Sequence, residues 1–166
     1  MYDVTPVTTA HATACGAACL KMLLDYYGQD VPLEDLILEC GTEITGCSLG
    51  DLKRVGTAHG LDSHCIKIPA AELVRQDRPA IIHWTPISRW DASIYQKHAH
   101  WVVFCGLNEE NEPVICNPSM GRFPLSREAF DRSFDGYCYF NGAPDDAIDR
   151  ADYFGENTQE PEYFDE

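Results

Sequence analysis

A chain of 166 residues that is 45% hydrophobic and 11% aromatic holds enough apolar material for one core of ordinary domain size and too little for two. Twelve basic residues against twenty-seven acidic ones give a formal charge of -15, which repels phosphate backbones and anionic membrane surfaces and argues against nucleic acid as a partner. Charge interrupts every apolar stretch within about a dozen residues, short of the roughly twenty that a span requires, so no membrane insertion is expected. Met1-Tyr2-Asp3-Val4-Thr5-Pro6 has no basic cluster and leads into no apolar run, so a soluble, cytoplasmic protein is expected.

After an extended lead-in with Pro6 and several threonines, Ala18, Leu20, Met22, Leu23, Tyr26 and Tyr27 follow a helical repeat. This predicts a helix beginning at Cys15 and stopped by Gly28. A second helix is expected after Val31-Pro32 to Glu39, and a third, capped by Ser48, to Gly60. From residue 62 the character changes. Short β-branched and aromatic runs at 65–68, 80–84, 100–105, 114–116 and 137–140 predict strands of an antiparallel sheet. The turn-rich link from Leu107 to Pro113 makes strands 100–107 and 113–117 a hairpin. Helices first and sheet second is an α+β arrangement, with a helical N-terminal half and an antiparallel C-terminal half.

The folded domain is expected to span residues 1–142. Residues 143–166 carry nine acids and one base, about half of the charge imbalance, and read as an acidic tail, disordered or loosely docked. Two related pieces recur in it, Asp152-Tyr153-Phe154-Gly155-Glu156 and Glu162-Tyr163-Phe164-Asp165-Glu166. The tail solubilises the chain, or its aromatic pairs dock in an apolar groove.

The eight cysteines lie in apolar segments rather than in loop-rich sequence, so most read as reduced core thiols. No Cys-x-x-Cys pair occurs, and His98 with His100 lacks a matching thiolate pair, so neither a metal nor another cofactor is expected.

Cys15 stands apart because it heads a helix. A helix N-terminus supplies free N–H groups and partial positive charge, which favour a thiolate and can receive an oxyanion. His100 opens the β-forming run Trp101-Val102-Val103-Phe104, on a rigid strand end suited to a general base. His98, two residues earlier, is the rival base, but it sits in polar sequence. Asn117 ends the partner strand of the same hairpin, so it is placed to fix the tautomer of His100 and aim it at Cys15. His83 reads as a core or strand histidine; His11, His59 and His64 read as surface or cap residues.

Cys15-Gly16-Ala17-Ala18-Cys19-Leu20-Lys21-Met22-Leu23-Leu24-Asp25-Tyr26-Tyr27-Gly28 resembles the nucleophile helix of the bacteriocin-processing, double-glycine leader peptidases, known as N-terminal domains of peptide-exporting ATP-binding cassette transporters. Ser48-Leu49-Gly50-Asp51-Leu52, Pro79 to Trp84, His100-Trp101-Val102-Val103, and Asn117-Pro118-Ser119-Met120-Gly121 with the helix from Leu125 to Phe130 resemble later family segments in the same order. The resemblance covers about residues 7–140 and implies a papain-like fold. It also implies a cysteine peptidase that removes amphipathic helical leaders from precursor peptides after paired small residues, with an export transporter as a partner. The family's oxyanion glutamine falls on Thr9 and its aspartate on Asn117. Thr9 is therefore the expected oxyanion donor. The stretch from Thr85 to Ala99 is longer than the link expected there, and reads as a flap over the cleft or an ordinary surface excursion. Two further functions remain open: a peptide-binding module that has lost useful catalysis, and an acyltransferase using the same triad.

Overall fold

The structure is a computed structural model and describes residues 1–41, 47–85, 100–144 and 153–154. Three helices come first: α1 (Cys15–Tyr26), α2 (Leu33–Cys40) and α3 (Leu49–Ala58). A 3-10 turn, Ala12–Ala14, runs directly into α1. α2 begins after Pro32, carries Glu34 and Asp35 in its first turn, and ends at Gly41 in the left-handed conformation. Ser48 starts α3 with a reciprocal capping box. Its Oγ accepts from the Asp51 N–H at 3.1 Å, and Asp51 Oδ2 accepts from the Ser48 N–H at 3.1 Å.

The rest of the chain builds an antiparallel sheet from β1 (Ser63–Lys67), β2 (Ala80–Trp84), β3 (Trp101–Leu107), β4 (Pro113–Asn117), β5 (Gly121–Pro124), β6 (Phe134–Asn141) and β7 (Tyr153–Phe154). Their order is β5-β4-β3-β2-β6-β1-β7. Two short helices, α4 (Ala70–Arg75) and α5 (Arg127–Ser133), lie between strands. Within the acidic tail, Tyr153–Phe154 pairs with Ile66 and Cys65 of β1.

Alternation along the strands feeds two cores. Ile81, Trp101, Val103 and Tyr139 face Leu20, Leu23, Leu36, Leu52 and Val55 of the first three helices. Ile82, Val102, Phe104 and Phe140 face Leu73 of α4 and Phe130 of α5. The α+β architecture, the three helix starts and the β3–β4 hairpin are as expected. α4, β5 and β7 are additions that the sequence patterns did not announce.

α3 approaches the sheet at Gly56, where an added Cβ would lie 2.0 Å from the Tyr139 hydroxyl oxygen, itself 2.6 Å from Ser63 Oγ. Gly56→Ala is expected to lower unfolding free energy by about 1–3 kcal/mol, because the Tyr139 ring is buried and cannot swing aside. Urea titration of the variant against the parent measures this.

Candidate active site

Two contacts link three elements: the first turn of α1 meets the start of β3 at Trp101, and the residue preceding β3 meets the last residue of β4. Cys15 opens α1 and is only 2% exposed. Its thiol lies against the backbone N–H groups of Trp101, Gly16 and Cys15 itself, and Trp101 directly follows His100 in the chain. That contact joins the helix bearing the sulfur to the strand bearing the imidazole.

His100, also 2% exposed, pairs through Nε2 with Asn117 Oδ1 at 3.1 Å. The same oxygen accepts the Ser119 N–H at 2.9 Å. An amide oxygen only accepts, so Nε2 carries the proton and Nδ1 is the basic nitrogen. Among the described residues Asn117 Nδ2 is buried with no hydrogen-bond partner, and its Oδ1 makes the amide's contacts to them. The Trp84 ring lies 5.9 Å from the His100 ring, and its indole N–H is fixed by Ser133 Oγ at 2.8 Å.

Close packing sets the approach of α1 to β3. A Cβ on Gly16 would meet Cys47 Cβ at 2.5 Å, Cys47 Sγ at 2.9 Å and Trp101 Cδ1 at 3.2 Å. The Trp101 indole N–H in turn donates to the Cys47 carbonyl at 2.8 Å. Only a glycine behind the sulfur lets the indole and the residue before α3 seat here.

Thr9, in the lead-in, donates its N–H to the Pro118 carbonyl at 2.8 Å, and its Oγ1 accepts the His11 N–H at 3.2 Å. The lead-in is thereby pinned to the turn that carries Asn117, and the Thr9 hydroxyl keeps its own proton for donation. His98 and residues 86–99 of the expected flap lie outside the described residues. His83 is buried in β2, as a strand histidine should be. In addition, its Nδ1 pairs with Asp135 Oδ2 and its ring meets Trp101 edge-on at 5.4 Å. Sequence reasoning missed the Asp135 partner and the Trp101 backbone contact. The only signal for the latter was the adjacency of Trp101 to His100.

The expected depression of the thiol pKa is corrected. Burial pushes Cys15 up to about 11, against the three backbone N–H groups that favour its anion. Burial likewise drives His100 down to about 4, opposed by the Asn117 bond and aided by the charge of His83. Burial thus favours the uncharged form of each group. All eight cysteines are buried, and among the described residues no cluster of metal-binding side chains occurs.

Because the folded His100 resists a proton that the unfolded chain accepts near pH 6.5, its contribution to stability is full above that pH. It is lost as pH falls toward 4, by up to about 3 kcal/mol. Urea unfolding at pH 7 and pH 4.5 is expected to show this slope in the parent and a shallower one in His100→Gln.

A profile of the Peptidase C39 family matches residues 4–143. The probable microcin-H47 secretion/processing ATP-binding protein MchF of Escherichia coli is 27% identical over 132 residues, covering 79% of this chain and 17% of that protein. An uncharacterized protein of Methanothermobacter thermautotrophicus is 25% identical over 134 residues, covering 81% of this chain and 85% of its own length. Among solved structures, a double glycine motif protease from an AMS/PCAT transporter, in complex with the leader peptide, superposes with a TM-score of 0.71 at 29% identity, covering 83% of this chain and 90% of that one. The chain thus spans about a sixth of the ATP-binding relative and most of the Methanothermobacter one. Among the described residues no helix is long and apolar enough to cross a membrane.

Proposed function

Because the chain belongs to the Peptidase C39 family, we propose that it is a cysteine peptidase that removes leader peptides after a double-glycine-type site, with Cys15 as nucleophile, His100 as base, Asn117 as the residue that orients the base, and Thr9 as an oxyanion donor. The observation that carries this reading is the His100 Nε2–Asn117 Oδ1 bond at the end of a hairpin whose other strand begins against the Cys15 thiol. The substrate is a precursor peptide with an amphipathic helical leader, and an export transporter is a partner. Residues 1–142 form the peptidase domain, and 143–166 are an acidic tail loosely docked on it, with Tyr153–Phe154 paired to β1.

Attack begins from the neutral pair. As Cys15 Sγ bonds the scissile carbonyl carbon, its proton passes to His100 Nδ1, so no thiolate has to be maintained in a buried site. Nε2–H stays on Asn117 Oδ1, which fixes the ring and spreads the imidazolium charge without supplying a full counter-charge. The Cys15 N–H and the Thr9 hydroxyl receive the oxyanion. The imidazolium then protonates the departing amine, leaving a thioester on Cys15, and His100 activates the water that hydrolyses it.

Cys15→Ala is expected to abolish cleavage of a synthetic peptide made of an amphipathic helix followed by Gly-Gly. Thr9→Ala should lower turnover about a hundredfold or more with little change in KM, by the usual cost of one lost oxyanion donor. Steady-state kinetics with mass detection of the cut after the second glycine measures both. Asn117→Asp places a carboxylate on the imidazole and should move the acid limb of kcat/KM upward from about pH 4. The second reading, a peptide-binding module with little catalysis, is favoured by Thr9 and by the raised Cys15 thiol. It wins if the parent binds the peptide and leaves it whole.

A further inference from the structure

Cys105 of β3 and Cys116 of β4 take no part in that mechanism, yet their sulfurs lie 3.2 Å apart with both residues buried. In the β3–β4 ladder Cys116 stands opposite Val103, so Cys105 is its diagonal neighbour, on the same face toward α1. The ladder shifts register between Phe104 and Leu107, and Gly106 sits in that irregularity at φ +90°. On the other side of β4, Arg122 of β5 stands opposite Cys116. The Cys105 bond and the Arg122 charge hold the Cys116 thiol below its ordinary value against burial, while Cys105 is pushed up. The two sulfurs thus stand close enough for either to resolve the oxidation product of the other.

We propose that Cys105 and Cys116 form a peroxide-sensitive dithiol whose closure to a disulfide disarms the neighbouring site, a regulation that rests on the peptidase reading above. The Cys116 thiolate attacks one oxygen of hydrogen peroxide, the O–O bond breaks, and the departing hydroxide takes a proton to give water and a sulfenic acid. The Cys105 sulfur then attacks the sulfenic sulfur. The S–O bond breaks, and hydroxide leaves with the Cys105 proton as a second water. Two thiols and one peroxide give one disulfide and two waters, so the peroxide takes up two electrons.

Closure moves the hairpin. Diagonal partners in an antiparallel pair stand about 7–8 Å apart at Cα, whereas a disulfide needs roughly 4.4–6.8 Å and an S–S bond of about 2.05 Å. Closing the gap from 3.2 Å to about 2.05 Å draws Cys116 of β4 toward Cys105 of β3, and the next residue, Asn117, carries the oxygen that holds His100. An ångström-scale misplacement of a catalytic group costs about a hundredfold in rate. A disulfide closed under such strain is also readily reduced, which makes the change reversible.

The test uses the full chain, treated with a few equivalents of hydrogen peroxide, quenched with N-ethylmaleimide and digested with trypsin. Both cysteines fall in one peptide, residues 98–122, because no lysine or arginine separates Lys97 from Arg122. The proposal expects that peptide two hydrogens lighter and free of maleimide, with Gly-Gly peptide cleavage at least tenfold slower and restored by dithiothreitol. In Cys105→Val, peroxide leaves no dithiothreitol-reversible loss. Maleimide on both residues while Cys15 is already oxidised overturns the proposal, as does a disulfide that leaves cleavage unchanged. Should the untreated chain cleave nothing, the peptidase reading fails. The peptide mass and the rate of Cys15 alkylation with and without peroxide then decide the redox proposal separately.

Discussion

The packing of the first turn of α1 against the start of β3 is the contact on which the rest of the molecule depends. Its parts are small: a glycine with no room for a methyl group, an indole lying over it, one N–H to the Cys47 carbonyl, and a thiol against the backbone of Trp101. They unite two segments that lie far apart in the chain. Each segment is stiffened separately, α1 by an apolar face sunk into the first core and β3 by ladders on both sides. The hairpin adds the third group, since β4 ends at Asn117 beside the residue from which β3 starts.

Two opposing effects act on the sulfur in that contact. A helix N-terminus stabilises an anion by about 0.3–1 kcal/mol, and by about 2 kcal/mol at most. Removing the thiolate from water wins here, because the thiol rises from 9.0 to about 11, a net preference for the protonated form of about 3 kcal/mol. The imidazole faces the same penalty in the opposite direction. Burial thus acts on both groups in favour of their uncharged forms. Asparagine at position 117 suits that arrangement: an amide oxygen orients a neutral ring without a buried carboxylate to neutralise.

Features set by local chemistry were legible in the sequence. The helix start at Cys15, the Ser48 cap, the stop at Gly28 and the turn-rich link of the hairpin follow from periodicity, capping and turn residues, and the Asn117–His100 bond follows from the hairpin itself. Features that exist only through tertiary contact were not. β5 is four residues ending in proline, and it forms because β4 offers an open edge. α4 is a six-residue helix that starts directly after Pro69. Cys105 and Cys116 read singly as core thiols, since their meeting depends on the register of two strands and a shift at Gly106. The burial that reverses the expected thiol behaviour is likewise a property of the assembled core. His83 was read as a strand histidine and is one, but its tie to Asp135 crosses fifty-two positions and leaves no local trace.

The most direct test of the central claim is bifunctional alkylation with 1,3-dibromoacetone, a short reagent that captures a thiol and then bridges to a nucleophile within a few ångströms. Peptide mapping of the treated chain should find Cys15 joined to His100 through the three-carbon ketone, with the link absent from His100→Ala. Cys15 carrying the reagent at one end only, or joined to some other residue while His100 stays unmodified, would contradict the account.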